Sequence, residues 1–145
     1  MPAWVTAGYL DYASRLPPEC SLQLLEIPAG RRTKGVDLAR LVRQEGERQL
    51  ATVPRRAALW ALDERGSMWS TEDLASRLGN WLQEGQDLAL LVGGPEGLAD
   101  SCRQRANGLW SLSRLTLPHS LVRVMVAEQI YRAWTLLTGH PYHRA

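Results

Sequence analysis

Apolar residues recur at three- and four-residue intervals in several stretches of the chain, a spacing that predicts amphipathic helices. Residues that suit helix ends mark some of these stretches: Asp37 precedes one, Ser70 or Thr71 precedes another, and Gly139 follows the last. The last stretch carries the widest apolar stripe. The predicted helices cover residues 3–16, Asp37 to about Leu50, Ser70 or Thr71 through Leu82, about 98–107 and about 120–137.

Short apolar runs between these helices have the length of buried strands. The clearest are "AALWAL" (57–62) and "DLALLV" (87–92); "LQLLEI" (22–27) also predicts a strand, and "WSLSRLTLP" (110–118) is extended or a loop. Because strands alternate with helices, we expect an α/β fold with an at least partly parallel sheet. Such folds bind ligands at the carboxyl ends of strands, where a glycine-rich turn follows residue 92 and the Leu62–Asp63 pair lies.

The composition is that of one globular domain. The chain has 145 residues, of which 45% are hydrophobic and 22% charged. No apolar run nears the length of a membrane span, and the N-terminus does not resemble a signal peptide, so we expect a cytoplasmic protein without a membrane partner. Cys20 and Cys102 lack zinc-binding spacing and are expected as free thiols.

Arginine supplies nearly all of the positive charge. The net charge is +2, and every basic residue except Lys34 is arginine, with pairs at Arg31–Arg32 and Arg55–Arg56. Arginine side chains match phosphate oxygens, which fits a local RNA-binding patch, but ordinary solvated surfaces explain the same residues. Charge alone therefore leaves a nucleic-acid partner open.

Two loop segments are candidates for ligand binding. "LLVGGPEGL" contains Gly93, Gly94 and Gly97, which let main chain approach a ligand, although a tight strand-to-helix turn explains them equally well. It matches neither the dinucleotide fingerprint nor the P-loop. "SLSRLTLPHSLVRV" offers backbone groups to an adenine or a carboxylate, or it is an edge strand followed by a helix that Ser120 caps.

The last predicted helix and the tail that follows it carry the remaining polar candidates. Glu128 and Arg132 are four residues apart and suit an intrahelical ion pair, and the apolar stripe could bury a dimer interface. Residues 142–144 combine stacking, proton transfer and phosphate contact, whereas disorder is the ordinary state of a terminus. A metal site is disfavoured because no acid or cysteine accompanies His140 and His143.

Four segments together resemble one family. "EIPAGRR", "LVGGPEGL", "WSLSRLTLPHSLVRVMVAEQIYRAW" and the terminal "HPYHR" are similar, in order and spacing, to the RlmH-type methyltransferases of bacterial 23S ribosomal RNA, within the SPOUT superfamily. The resemblance covers nearly the whole chain. It implies a single SPOUT domain over residues 1–145, with a helix-flanked sheet, a C-terminal trefoil knot and a functional tail at 140–145. Such a knot is an exception to the usual rule against threading.

The resemblance also implies a cofactor, a substrate and an assembly. S-adenosylmethionine is expected in the knot, and a homodimer is expected to methylate N3 of a pseudouridine in a 23S rRNA stem-loop on the assembled 70S ribosome. The tail of one protomer is expected over the cofactor pocket of the other, with His143 as the base and His119 as its rival. The expected catalytic residues are Tyr142, His143, Arg144 and His119. The expected cofactor contacts are Leu62, Gly93, Leu112, Ser113, Arg114, Leu115, Thr116 and Leu117.

Family members begin with an apolar strand of the kind "KLQLVAVG" ahead of the segment that matches "MPAWV", where this chain starts. Either the start codon is placed too late, which we favour, or the sheet lacks a strand and has an open slot with unpaired backbone groups. Two other functions stay open. One is a truncated, inactive RNA- or ribosome-binding protein of the same fold, and the other is a different α/β nucleotide-binding enzyme.

Overall fold

The computed structural model describes residues 1–28, 33, 35–94 and 96–144. Residues 143 and 144 are described by their main chain only. This part of the chain forms α-helices, a small sheet and two short 3₁₀ helices at Pro18–Cys20 and Pro141–Arg144. The α-helices are α1 (Ala3–Ala13), α2 (Leu38–Thr52), α3 (Thr71–Gln83), α4 (Asp100–Arg105) and α5 (His119–Thr138). The strands are β1 (Ala58–Met68), β2 (Leu88–Leu91) and β3 (Gly108–Ser111).

The three strands form one parallel sheet in the order β2–β1–β3. Side chains alternate between its two faces. Trp60 and Leu62 of β1 and Trp110 of β3 pack against α3 and α5, whereas Leu59 and Ala61 pack against α2 and α4. The sheet therefore separates two hydrophobic cores, and the expected α/β architecture with a parallel sheet is confirmed.

Local sequence signals place several helix ends as expected. The Asp37 side chain accepts a hydrogen bond from the Arg40 main-chain N–H at 3.2 Å and caps α2. Ser70 and Asp73 form a reciprocal capping box at the start of α3, with both bonds at 3.0 Å. Gly139 ends α5 with φ at +73°, a conformation that favours glycine. These predictions are confirmed.

Two sequence predictions in the C-terminal half need correction. Helix α5 begins at His119, because Pro118 takes the extended backbone of an N-cap, and the structure shows no side-chain cap there; the prediction of a Ser120 cap is wrong. Part of the segment expected as an extended stretch or loop over 110–118 belongs to β3, which starts earlier, at Gly108. The first residue of β3 must be glycine, because a Cβ on Gly108 would overlap the Trp60 ring.

The predicted strand at 22–27 is also wrong, because these residues form no regular secondary structure and do not join the sheet. A groove of about 740 Å³ lies between residues 18–25 and residues 86–92, which include β2. Strand β2 pairs with β1 on its other side, so this outer edge has no strand partner within the described ranges. We call this cavity the β2 groove. Among the described residues, no helix has the length and apolar character needed to cross a membrane.

Candidate functional site

The carboxyl edge of the sheet opens into a cleft of about 310 Å³. It lies where the pairing of β1 with β3 is interrupted after Leu62 and where the chain leaves β2 and β3, the edge at which parallel sheets place ligands. We call it the carboxyl-edge cleft. Its lining includes residues 62–65, 92–94, 97–98, 112–113 and 115–117, and Arg103, Trp110, His119 and Val122.

One side of the cleft, which we call the glycine wall, consists of residues 92–94 and 97–98. The Gly97 N–H donates to the Gly94 carbonyl at 3.0 Å, and Gly97 has φ at +81°. A Cβ on Gly93 would lie 2.7 Å from the carbonyl carbon of Gly97, closer than real side chains come to backbone. The loop therefore depends on glycine to fold back on itself, and it presents main chain to the cleft.

The other side, which we call the leucine wall, consists of residues 112–113 and 115–117. The buried Ser111 hydroxyl donates to the Ser113 carbonyl at 2.8 Å, and the Ser113 hydroxyl oxygen accepts the Leu115 N–H at 3.0 Å. These short-range bonds hold the segment in a bend after β3. Leu115 is 72% exposed, so the bend offers apolar surface that nothing in the described chain covers.

Asp63 supplies negative charge where β1 enters the cleft. Its carboxylate accepts the Arg65 main-chain N–H and the Arg103 Nε–H, both at 2.8 Å, and its side chain is only 6% exposed. Burial raises the pKa of this carboxyl group, but the hydrogen bonds from Arg65 and Arg103 outweigh burial and hold the pKa below its ordinary value. Asp63 is therefore ionised at neutral pH and does not serve as a proton donor.

The structure brings most of the expected cofactor contacts together. Arg114 is the exception, since it is exposed and does not line the cleft. His119, the rival base, lines the cleft from the first turn of α5. The expected contacts that line the cleft are Leu62, Gly93, Leu112, Ser113, Leu115, Thr116 and Leu117.

Sequence reasoning placed Asp63 at this edge of the sheet but missed three charged residues of the cleft, Glu64, Arg65 and Arg103. Glu64 accepts a hydrogen bond from the Thr116 hydroxyl at 2.8 Å, and Arg65 and Arg103 both bond to Asp63. The available signal was the charged run that directly follows the buried strand "AALWAL", because charges at a strand end of a parallel sheet lie at the ligand-binding edge.

The tail packs against the far end of α5. The Tyr142 ring lies 4.7 Å from the Tyr131 ring, and the Arg132 guanidinium lies 4.9 Å from the centre of the Tyr142 ring. Arg132 also forms the expected ion pair with Glu128, at 2.6 Å, so that prediction is confirmed. Tyr142 is thereby anchored to its own chain.

This anchor is far from the cleft of the same chain. Helix α5 has 20 residues, and at 1.5 Å per residue it spans about 30 Å. His119 and Val122 at its start line the cleft, whereas Tyr142 packs on Tyr131, about 18 Å along the helix from His119. The expected catalytic side chains of His143 and Arg144 lie outside the described residues.

The cysteines behave as ordinary buried thiols. Cys20 and Cys102 are buried and free, as expected, and burial raises the pKa of both thiols. Within the ranges that the structure covers, no three His, Cys, Asp or Glu side chains come together as a metal-binding group.

The chain was compared with known protein families and curated proteins. A family model described as "Predicted SPOUT methyltransferase" matches residues 1–143. The chain belongs to the SPOUT methyltransferase family. That match contains the whole carboxyl-edge cleft and the tail as far as His143.

Curated relatives of this SPOUT protein include three proteins named ribosomal RNA large subunit methyltransferase H. The one from Thioalkalivibrio sulfidiphilus is 61% identical over 99% of this chain and 92% of its own length. The one from Methylococcus capsulatus is 60% identical over 99% and 93%. The one from Nitrosococcus oceani is 56% identical over 100% and 92%. The resemblance to the RlmH-type family is therefore confirmed.

Proposed function

We propose that this SPOUT family protein is an S-adenosylmethionine-dependent methyltransferase of large-subunit ribosomal RNA. The main support is the carboxyl-edge cleft with its glycine and leucine walls. The chain that contains it is 61% identical to a protein named ribosomal RNA large subunit methyltransferase H. The target is N3 of a pseudouridine in a 23S rRNA stem-loop of the assembled 70S ribosome, as the resemblance implies. The proposed site of action is accordingly the cytoplasm.

The cleft residues suit S-adenosylmethionine in three respects. The glycine wall brings main-chain donors and acceptors to the cleft. The leucine wall offers apolar surface for an adenine ring, and the exposed Glu64 carboxylate gives the cleft a negative group beside a cationic ligand. Leu62, Gly93 and residues 112–117 are the proposed contacts.

The chemistry assigns two tasks to the chain. S-adenosylmethionine, when bound, supplies a methyl group on a positively charged sulfur. The substrate N3–H must lose its proton, and we assign that proton to the imidazole of His143, with His119 at the cleft as the second candidate. The walls hold the reacting groups in line and exclude water, which favours a step that neutralises charge.

The active assembly in this proposal is a homodimer in which Tyr142, His143 and Arg144 of one protomer serve the cleft of the other. The support is geometric. Tyr142 is anchored on Tyr131, about 18 Å along α5 from His119 at the cleft, and this separation supports a tail that serves another copy.

The same proposal includes three features of the fold. Residues 1–145 form a single domain, its C-terminal part forms a trefoil knot, and the β2 groove can accept a further strand. In support of the knot, α4 packs on one face of the sheet and α5 on the other, so residues 112–118 cross the sheet at its carboxyl edge. In support of the strand, the outer edge of β2 has no strand partner in the described ranges and faces residues 22–27 across the groove. The Tyr9 hydroxyl, which also borders the groove, has no hydrogen-bond partner within the described chain.

Deleting residues 140–145 tests the proposal most simply. We expect the shortened protein to bind one S-adenosylmethionine per chain in calorimetry, with nearly unchanged affinity, and to transfer no methyl group to ribosomes. Mass spectrometry of rRNA from a strain that lacks the gene should show one methyl group missing from a pseudouridine. Unchanged turnover after the deletion contradicts the role of the tail.

The same measurements separate the alternatives. A wild-type protein that binds ribosomal RNA but gives no heat with S-adenosylmethionine would be an inactive RNA-binding relative. A protein that binds another nucleotide and leaves ribosomes unmethylated would be a different α/β enzyme.

A further inference from the structure

Two neighbouring carboxylates lie where β1 enters the cleft, Asp63 and Glu64. The pairing of β1 with β3 changes register between Leu62 and Ser67, so strand alternation does not set the direction of these two side chains. Their hydrogen bonds do: Asp63 bonds to Arg103 of α4, whereas Glu64 bonds to Thr116 of the leucine wall. The two carboxylates therefore reach toward different walls of the same cleft.

Asp63 is tied to the glycine wall through Arg103 of α4. The Arg103 Nε–H donates to Asp63 at 2.8 Å, and a second nitrogen of the same guanidinium donates to Asp100 at 2.8 Å. The glycine wall leads directly into α4, where the Ala99 carbonyl accepts the main-chain N–H groups of Cys102 and Arg103. Arg103 thus links Asp63 of β1 to α4 and, through the start of α4, to the glycine wall.

Glu64 is tied to the leucine wall through Thr116. The Thr116 hydroxyl donates to the Glu64 carboxylate at 2.8 Å. Both residues are exposed, whereas the Asp63 and Arg103 side chains are 6% and 25% exposed. Because water competes for exposed groups and screens their charge, the Glu64 tie is the weaker of the two.

We propose that Asp63 is a positioning residue that holds the glycine wall through Arg103 at the spacing required for the methyl donor, and that Glu64 is its weaker counterpart on the leucine wall. This inference rests on the proposed function. The carboxylate of Asp63 acts on the position of main chain and takes no part in the proton transfer. Loss of the tie widens the cleft, so it weakens donor binding and misaligns the donor.

The test compares Asp63→Asn with Glu64→Gln, two substitutions that remove one charge each and keep the side-chain size. We expect Asp63→Asn to raise the Kd and KM for S-adenosylmethionine at least about tenfold, the effect of losing a shielded, charged hydrogen bond. We expect Glu64→Gln to raise them about twofold. Asp37→Asn is the matched control, because asparagine caps a helix as well as aspartate does, and both constants should stay at the wild-type value.

A double-mutant cycle separates positioning from general stability. Arg103→Met should raise the Kd as Asp63→Asn does, and the double variant should be no worse than the poorer single variant, because both changes break one tie. The kcat–pH profile of Asp63→Asn should keep its wild-type shape. Arg103→Met, with its partner charge left in place, also serves as the test if Asp63→Asn does not fold.

The outcomes distinguish this inference from the proposed function. A wild-type protein that binds no S-adenosylmethionine overturns the proposed function. Wild-type binding that persists unchanged in folded Asp63→Asn or Arg103→Met overturns the positioning role alone. Additive effects in the double variant, or a shifted pH profile, also overturn it.

Discussion

The carboxyl-edge cleft and the β2 groove adjoin each other, since Gly93, Gly97 and His119 line both, yet they are built differently. The cleft has walls tied by side-chain hydrogen bonds, among them the shielded pair of Asp63 and Arg103. The groove separates a segment without regular secondary structure from the edge of β2 that has no strand partner in the described chain. The cleft therefore has walls held by side-chain contacts, whereas the proposed added strand would give the groove its missing main-chain partner.

Removing the aromatic support beneath the cleft should have the largest effect. Trp110 is 3% exposed and stacks on Trp69 with ring centres 4.9 Å apart, so Trp110→Ala should lower the free energy of unfolding by about 3–5 kcal/mol. Urea denaturation measures this change. Trp4→Ala is the comparison, because Trp4 is 57% exposed and its loss should cost roughly 0.5 kcal/mol or less. Equal losses for the two variants would contradict the account of this core.

Filling the groove should have the next largest effect. A peptide with the alternating pattern "KLQLVAVG" should pair with β2, and at about 100 times its Kd it should add about 2.7 kcal/mol to the free energy of unfolding. Cys20 lines the groove, whereas Cys102 packs on the other face of the sheet. The peptide should therefore slow alkylation of Cys20, which it covers directly, more than that of Cys102, which it protects only by stabilising the fold. Equal protection of both thiols, or protection by a scrambled peptide, would argue against strand addition.

A methyl group on the glycine wall should have a smaller effect on stability. Gly93→Ala places a Cβ 2.7 Å from backbone, which cannot give way without moving the loop, so we expect a loss of about 1–3 kcal/mol. Gly94→Ala is the control, since nothing lies within 4 Å of its Cβ. Thermal unfolding should show a lower Tm for Gly93→Ala only. A similar Tm for the two variants would mean that the glycine wall can shift to accommodate a Cβ on Gly93.

The smallest effect should be a dependence of donor binding on pH. The pKa of Asp63 is lower in the folded protein than its ordinary value of about 3.9, so its contribution is complete above that value and is lost as the pH falls through the folded pKa. Calorimetry from neutral to acid pH should show that the ratio of wild-type affinity to Asp63→Asn affinity is constant down to about pH 4. The ratio should then fall toward one. A ratio that changes near neutral pH would contradict an ionised Asp63.

The sequence predicted the features that depend only on residues close together in the chain. The caps at Asp37, Ser70 and Gly139 depend on groups within a few residues, and they lie where the sequence predicted them. The strand prediction for 22–27 failed because a strand needs a neighbour, which no local pattern reveals.

The parts of the site that were missed depend on distant residues. Asp63 and Arg103 are 40 positions apart, and only the packing of α4 beside β1 brings them together. The cofactor contacts themselves came from the family resemblance, since periodicity alone left the glycine loop open between a turn and a ligand site. Seven of those eight contacts line the cleft.

The central claim is that one chain supplies the donor cleft and another supplies the tail. Its most direct test mixes two variants that should each be inactive, Gly93→Ala and the deletion of 140–145, after separating and reassociating their subunits. Random pairing makes about half of the dimers mixed, each with one intact cleft served by an intact tail, so methyl transfer to ribosomes should recover to about one quarter of the wild-type level. Recovery that stays at zero while mixed dimers form would contradict the shared site.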